Sequence, residues 1–368
     1  MNRSLREAGS RAGLRRGQHA DGLMTQGRRI ARRLDGFAAL RLLAGGVALF
    51  YAATGTGLCE DSGFSADDAA RVRQVITPAN DFSRAEPHEA LSGGAGTFHG
   101  LPDAKAMSQA DPTLDDAGNQ RFKLGFALFK KMWAQAPSST QASDGLGPLF
   151  NARSCQSCHL RDGRGRAPEN GMESQSFLMR LARPAVTPAE VAALAAHKTL
   201  NLPDPVYGHQ LQDKGVTGLA GEGRVTVGYT LRTVSLAGGD AVSLRVPHYA
   251  VADLAYGPLN PSTTLSPRIA QGLAGMGLLE AIPASEILAH ADPDDRDGDG
   301  IRGRANLVRD PSSGDMVLGR FGWKAQNPTV RAQVVSALSS DIGISSPDAP
   351  DAYGDCTAAE TACRKMPT

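Results

Sequence analysis

The chain has 368 residues, 41% of them hydrophobic and 21% charged, with a net charge of +1. That composition suits a globular protein with a sizeable core and excludes a disordered chain. Its 42 Gly and 22 Pro place much of the chain in loops rather than long helices.

Ten arginines against three acids fall within residues 1–53, so the rest of the chain is net acidic. A nucleic-acid binder would keep its basic charge in the folded part, and no nucleic-acid partner is expected. Here the arginines precede an apolar run, Leu42 to Ala53, and then Thr54 and Gly55. That order marks residues 1–58 as a secretory signal or an uncleaved membrane anchor. The run is short for a span, so membrane contact is expected only through this segment. The expected address is periplasmic, with the inner-membrane anchor as the alternative.

Residues 60–110 are polar and aperiodic and read as an irregular lead-in. Between Gly118 and Gln135, Phe122, Phe126, Phe129 and Trp133 recur at helical spacing, which predicts one helix with an apolar stripe. A Pro/Ser-rich break follows at 137–143. Leu149 and Phe150 are then expected to open a short helix that carries Cys155-Gln156-Ser157-Cys158-His159.

Two thiols three positions apart, followed directly by an imidazole, fit covalent attachment of a c-type haem. Cys155 and Cys158 would bind the vinyl groups, and His159 would ligate iron on the proximal side. Half a zinc site is the competing reading, but no second Cys/His pair at zinc spacing follows. Arg161, Arg164 and Arg166 stand among glycines just after the motif. They are either propionate partners or a solvated basic turn.

Further along, Thr187 and Pro188 open a predicted helix to His197, and Pro283 opens another to Ala289. Residues 224–231 and 242–246 alternate in period two around Gly238-Gly239-Asp240, a hairpin signal. Residues 314–324 predict a second short ribbon. In the loop 292–306, Asp295, Asp297, Asp299 and Gly300 take positions 1, 3, 5 and 6 of a calcium loop. Position 12 is Asn306 rather than Glu, so the alternative is a solvated acidic turn. Cys356 and Cys363 are seven apart in the tail 346–368, where export would allow a disulfide; two free thiols are the alternative, and spacing alone does not decide. Met276, His248 and His209 are the candidates for the distal iron ligand, and spacing does not choose among them.

These segments carry a family resemblance. Gly145 to Arg166, Tyr207-Gly-His-Gln-Leu-Gln212, Leu265-Ser-Pro-Arg268 and Gly275 to Pro283 resemble the bacterial di-haem oxidoreductase family. So do the Asp-Gly-Asp-Gly-Ile301 loop and Leu318 to Ala325. The resemblance runs from about Gly94 to the end. It implies a periplasmic c-type cytochrome related to two-haem peroxidases, with calcium between the haems and a redox partner protein or a small oxidant such as peroxide. Trp323 would lie on an electron path. The family pattern carries a second Cys-x-x-Cys-His beyond the position of Cys363. The chain therefore reads as truncated before that motif, with one haem c per chain.

The expected fold is a mainly α, cytochrome c-like haem domain over residues 59–345, with long loops and inserted β-hairpins, α+β overall. The expected function is an exported haem c redox protein that transfers electrons, leaning towards a peroxidase-like oxidoreductase. The alternatives are a mono-haem carrier without catalysis and an inactive fragment of a di-haem enzyme.

Overall fold

The computed structural model describes residues 65–86, 88–172 and 174–368. The basic segment 1–58 and its targeting role lie outside the described residues. The chain divides into two compact units, Met1–Ala69 and Ala70–Thr368, with helix α1 (Ala66–Ile76) running across the division. All later elements belong to the second unit.

Helix α2 (Asp116–Lys130) opens on Asp115, whose carboxylate accepts the Gly118 N–H at 2.6 Å. It carries Phe122, Phe126 and Phe129, and the first two rings stack at 5.7 Å. The helix ends before Trp133. There the chain turns extended, with Trp133 N donating to Arg153 O and Gln135 bridging Leu146. Lys131 already leaves the helix at ψ 127°, so the predicted stripe outruns the helix.

Leu149 and Phe150 are not helical. They form β1 (Leu149–Phe150), paired antiparallel with the later β4, and the helix α3 (Cys155–Cys158) starts only at the first cysteine. Ser154 caps α3 by accepting from Ser157 N at 3.2 Å. Strand β2 (Phe177–Ala182) follows. Helix α4 (Pro188–Ala195) then starts in a full capping box between Thr187 and Glu190. Next come β3 (Gln210–Leu211), β4 (Lys214–Gly215) and a twelve-pair hairpin of β5 (Arg224–Ser235) and β6 (Ala241–Ala252). Gly239 turns it at φ +90°. Strand β7 (Thr264–Ile269) joins β2 to make the sheet β3-β2-β7. Helices α5 (Met276–Ala281) and α6 (Ala284–Ala289), the ribbon β8 (Leu307–Arg309) and β9 (Met316–Leu318), and helix α7 (Val330–Asp341) complete the order.

The expectation of a mainly α fold is overturned. The described chain is 25% helix and 20% strand, with the strands in small antiparallel sheets. The cause is local: β-branched and aromatic residues in period two fill 224–252, while Gly and Pro keep most helices short.

Three buried clusters hold the unit. Leu146, Phe150, Val216 and Ile342 form one, with Trp133, Cys155 and Met366 packed on it. Met179, Leu181, Tyr207 and Leu211 form the second, beneath one face of the three-stranded sheet. Leu149 and the disulfide-bonded Cys356 and Cys363 form the third. The segment before α3 crosses the end of α7 where Gly147 meets Gly343. A Cβ on Gly147 would fall 2.4 Å from Gly343 O. Gly343 also holds φ +73°, so both positions exclude a side chain.

Candidate functional site

Cys155 and Cys158 stand one helical turn apart on α3, both half-buried and unbridged. His159 follows as the last residue of the turn, its N–H on Cys155 O at 3.0 Å. Its Nδ1 lies 2.7 Å from the carbonyl oxygen of Gln271, two residues beyond β7. A backbone carbonyl can only accept, so Nδ1 carries the proton, which in the neutral imidazole leaves the lone pair on Nε2. Orientation by such a bond is the usual support for a metal-ligating imidazole. The Phe129 ring of α2 packs against His159 at 6.2 Å. Cys158 Sγ donates to Gln175 O at 2.9 Å.

Burial, reinforced by Asp341, raises both thiols, and it pushes Cys158 up to about 12. Neither forms a thiolate near neutral pH, which argues against a nucleophilic cysteine pair. The donor set is two neutral thiols at one-turn spacing beside an imidazole with a free Nε2. It fits a covalently held haem with one axial nitrogen.

A polar sheet face that meets the end of α7 is a feature that sequence reasoning missed. In β3-β2-β7, Arg180 pairs with Gln210 and Ser266, and Leu178 pairs with Arg268. Gln210, Arg180, Ser266 and Arg268 therefore share the face opposite the Met179–Leu211 cluster. Gln210 Nε2 reaches Asn151 Oδ1 and, at 2.9 Å, Asp341 Oδ1. Gln212 Nε2 reaches Ser340 O at 2.7 Å. Burial holds Asp341 above the carboxylate range, with Arg180 pulling the other way. The alternation Gln210-Leu211-Gln212 was the available sequence signal for this face. Gln271 offers only a backbone carbonyl and had none.

The predicted arginines after the motif all point to solvent. Arg161 sits at φ +54°, and no side-chain hydrogen bond or ion pair ties Arg161, Arg164 or Arg166 to the described residues. Among the distal candidates, Met276 starts α5 five residues after Gln271 and is half-buried. His248 is exposed on β6, its Nε2 at 2.9 Å from Thr230 Oγ1. His209 is lowered by burial and then by Arg180, and its N–H is on Asp355 Oδ2 at 2.9 Å. No described contact joins any of the three to His159. Trp323 is exposed, with the Arg268 guanidinium 5.8 Å from its ring centre.

Ligand atoms of Asp295, Asp297 and Asp299 lie within 4.8 Å of one another. Gly300 N donates to Asp295 and Ile301 N to Asp299. Asn306, at the twelfth position, donates its Nδ2 to Lys324 O and Ala325 O.

A second unforeseen feature is Glu222 with Glu360, both fully buried. Glu222 accepts from Gln212 N, and Glu360 accepts from Thr357 N at 2.8 Å. The other oxygen of each has no donor unless one carboxyl is protonated towards the other. Burial first and then mutual repulsion hold Glu222 far above the carboxylate range.

Among the described residues, no helix is long and apolar enough to cross a membrane. A family model described as "Di-haem oxidoreductase, putative peroxidase" matches residues 87–363. Neither curated proteins nor solved structures gave a match.

Proposed function

Since the chain belongs to the di-haem oxidoreductase family, whose cofactor is haem, we propose that it is a haem c redox protein with one haem per chain. The observation that carries this reading is the His159 Nδ1 contact to Gln271 O at 2.7 Å, beside two unbridged thiols. Cys155 and Cys158 hold the macrocycle as thioethers. His159 offers Nε2 to the iron, and Gln271 fixes its tautomer and orientation. Phe129 packs on the imidazole edge. When bound, the haem would supply one-electron exchange and the reduction of a small oxidant such as peroxide. The protein's part is to orient His159 and to set the local electrostatics through Asp341 and Arg180.

Export to the periplasm agrees with this chemistry. The disulfide between Cys356 and Cys363 belongs in an oxidising compartment. Calcium at Asp295, Asp297 and Asp299 is supported by convergence of their oxygens. A mono-haem carrier is the second reading, favoured by the placement of Met276 a few residues after Gln271. Optical spectra of the ferric holo-protein with and without peroxide decide between them. A low-spin spectrum indifferent to peroxide supports the carrier, and a high-spin spectrum that responds supports the peroxidase-like reading.

A further inference from the structure

Arg268 is a half-buried cation without an anion. Its Nη1 donates to Ser266 Oγ at 2.7 Å and to Pro267 O at 2.9 Å, both uncharged. Arg183, Arg224, Arg296, Arg331 and Arg364 sit on carboxylates, whereas Arg268, like Arg320 on three carbonyl oxygens, bonds only neutral groups. Arg180 shares its sheet face one pair away and makes no ion pair among the described residues. A diagonal pair of this kind lies within reach of long side chains. The two charges repel, and burial and Arg180 lower Arg268. A guanidinium kept partly dry beside a like charge is costly unless an anion completes it.

The position of this cation specifies the anion. Arg268 lies three residues before Gln271, the residue that pins His159. On extended backbone that is about 10 Å of chain, and an arginine side chain bridges much of it. The face it shares with Arg180 and Gln210 also meets the end of α7, where Asp341 influences Cys155, Cys158 and His159.

We propose that Arg268, backed by Arg180, is the carboxylate-binding site for a propionate of the haem held at Cys155, Cys158 and His159. The exposed trio Arg161, Arg164 and Arg166 does not perform that role. The assignment rests on the haem reading above. The planar fork of Arg268 takes both carboxylate oxygens, and Trp323 covers the fork on one side. Neutralising the propionate keeps net positive charge near the iron and favours the reduced state.

The test is a potentiometric titration at pH 8 of haem-loaded wild type, Arg268→Gln, Arg268→Lys and the triple Arg161→Gln, Arg164→Gln, Arg166→Gln variant. Infrared redox-difference spectra of the propionate carboxylates accompany it. Arg268→Gln keeps its covalent haem and shifts the redox equilibrium about tenfold towards the oxidised form, which is about 59 mV for one electron. Arg268→Lys stays within about threefold of wild type, because the charge is kept, but its carboxylate band moves because the fork is lost. Should Arg268→Gln not fold, the Arg268→Lys band alone decides. The triple variant matches wild type. Haem-loaded Arg268 variants that match wild type in potential and band, or a shift found in the triple variant instead, would overturn this assignment alone. A chain without covalent haem would overturn the haem reading and this assignment with it.

Discussion

Replacing Glu222 with Gln should flatten the pH dependence of folding stability. Glu222 and Glu360 face each other without solvent, and the pair retains a proton in the folded state. In the unfolded chain each titrates near the ordinary glutamate value of 4.5. The folded value of Glu222 is raised, so its contribution is fully present below the unfolded value and is lost as pH rises. Each pH unit above about 5 costs roughly 1.4 kcal/mol per retained proton. From pH 5 to pH 8 that sums to about 4 kcal/mol. Glu222→Gln keeps an amide donor for Glu360 and an oxygen for Gln212 N, and it cannot ionise. Asp355, raised to about 7 by burial, and Asp341 titrate in both proteins, so the difference between the two slopes isolates the pair. Urea unfolding of the holo-protein at four pH values reads both slopes. Parallel slopes for wild type and variant would refute the shared proton.

Three further outcomes follow from the geometry. Gly147→Ala and Gly343→Ala each drive a methyl into backbone at the crossing, and each should lower stability by about 3 kcal/mol or prevent soluble expression. Wild-type melting temperatures in either variant contradict the crossing. Ser154→Ala removes the cap of α3 and should cost about 1 kcal/mol in urea unfolding, with the haem still attached. An unchanged midpoint would show that the cap is idle. Calcium should raise the thermal midpoint of wild type and leave Asp297→Asn unmoved, because the substitution removes one converging carboxylate. Equal shifts in both proteins would place the ion elsewhere.

The juxtaposition of Cys155, Cys158 and His159 was legible because it is contiguous: two thiols and an imidazole declare their spacing in five residues. The capping box at Thr187 and Glu190 and the hairpin around Gly239 were legible for the same reason, each being written in a short window. Leu149 and Phe150 were misread as helical because their strand partner, Lys214-Gly215, lies more than sixty residues away. The mainly α expectation failed on the same count, since small sheets closed by distant pairings leave a weak local trace. The partners of the site were hidden too. Gln271 bonds His159 through a carbonyl that any residue would supply, and Asp341 influences the two thiols only because the end of α7 lies near them.

The central claim is that Cys155, Cys158 and His159 hold one haem covalently. Intact-mass analysis and a haem stain after denaturing electrophoresis of the chain, expressed with cytochrome c maturation, test it most directly. The account predicts one haem mass per chain that survives denaturation and is absent from Cys155→Ala/Cys158→Ala. A chain that matures without that mass, or a double variant that keeps it, would contradict the account.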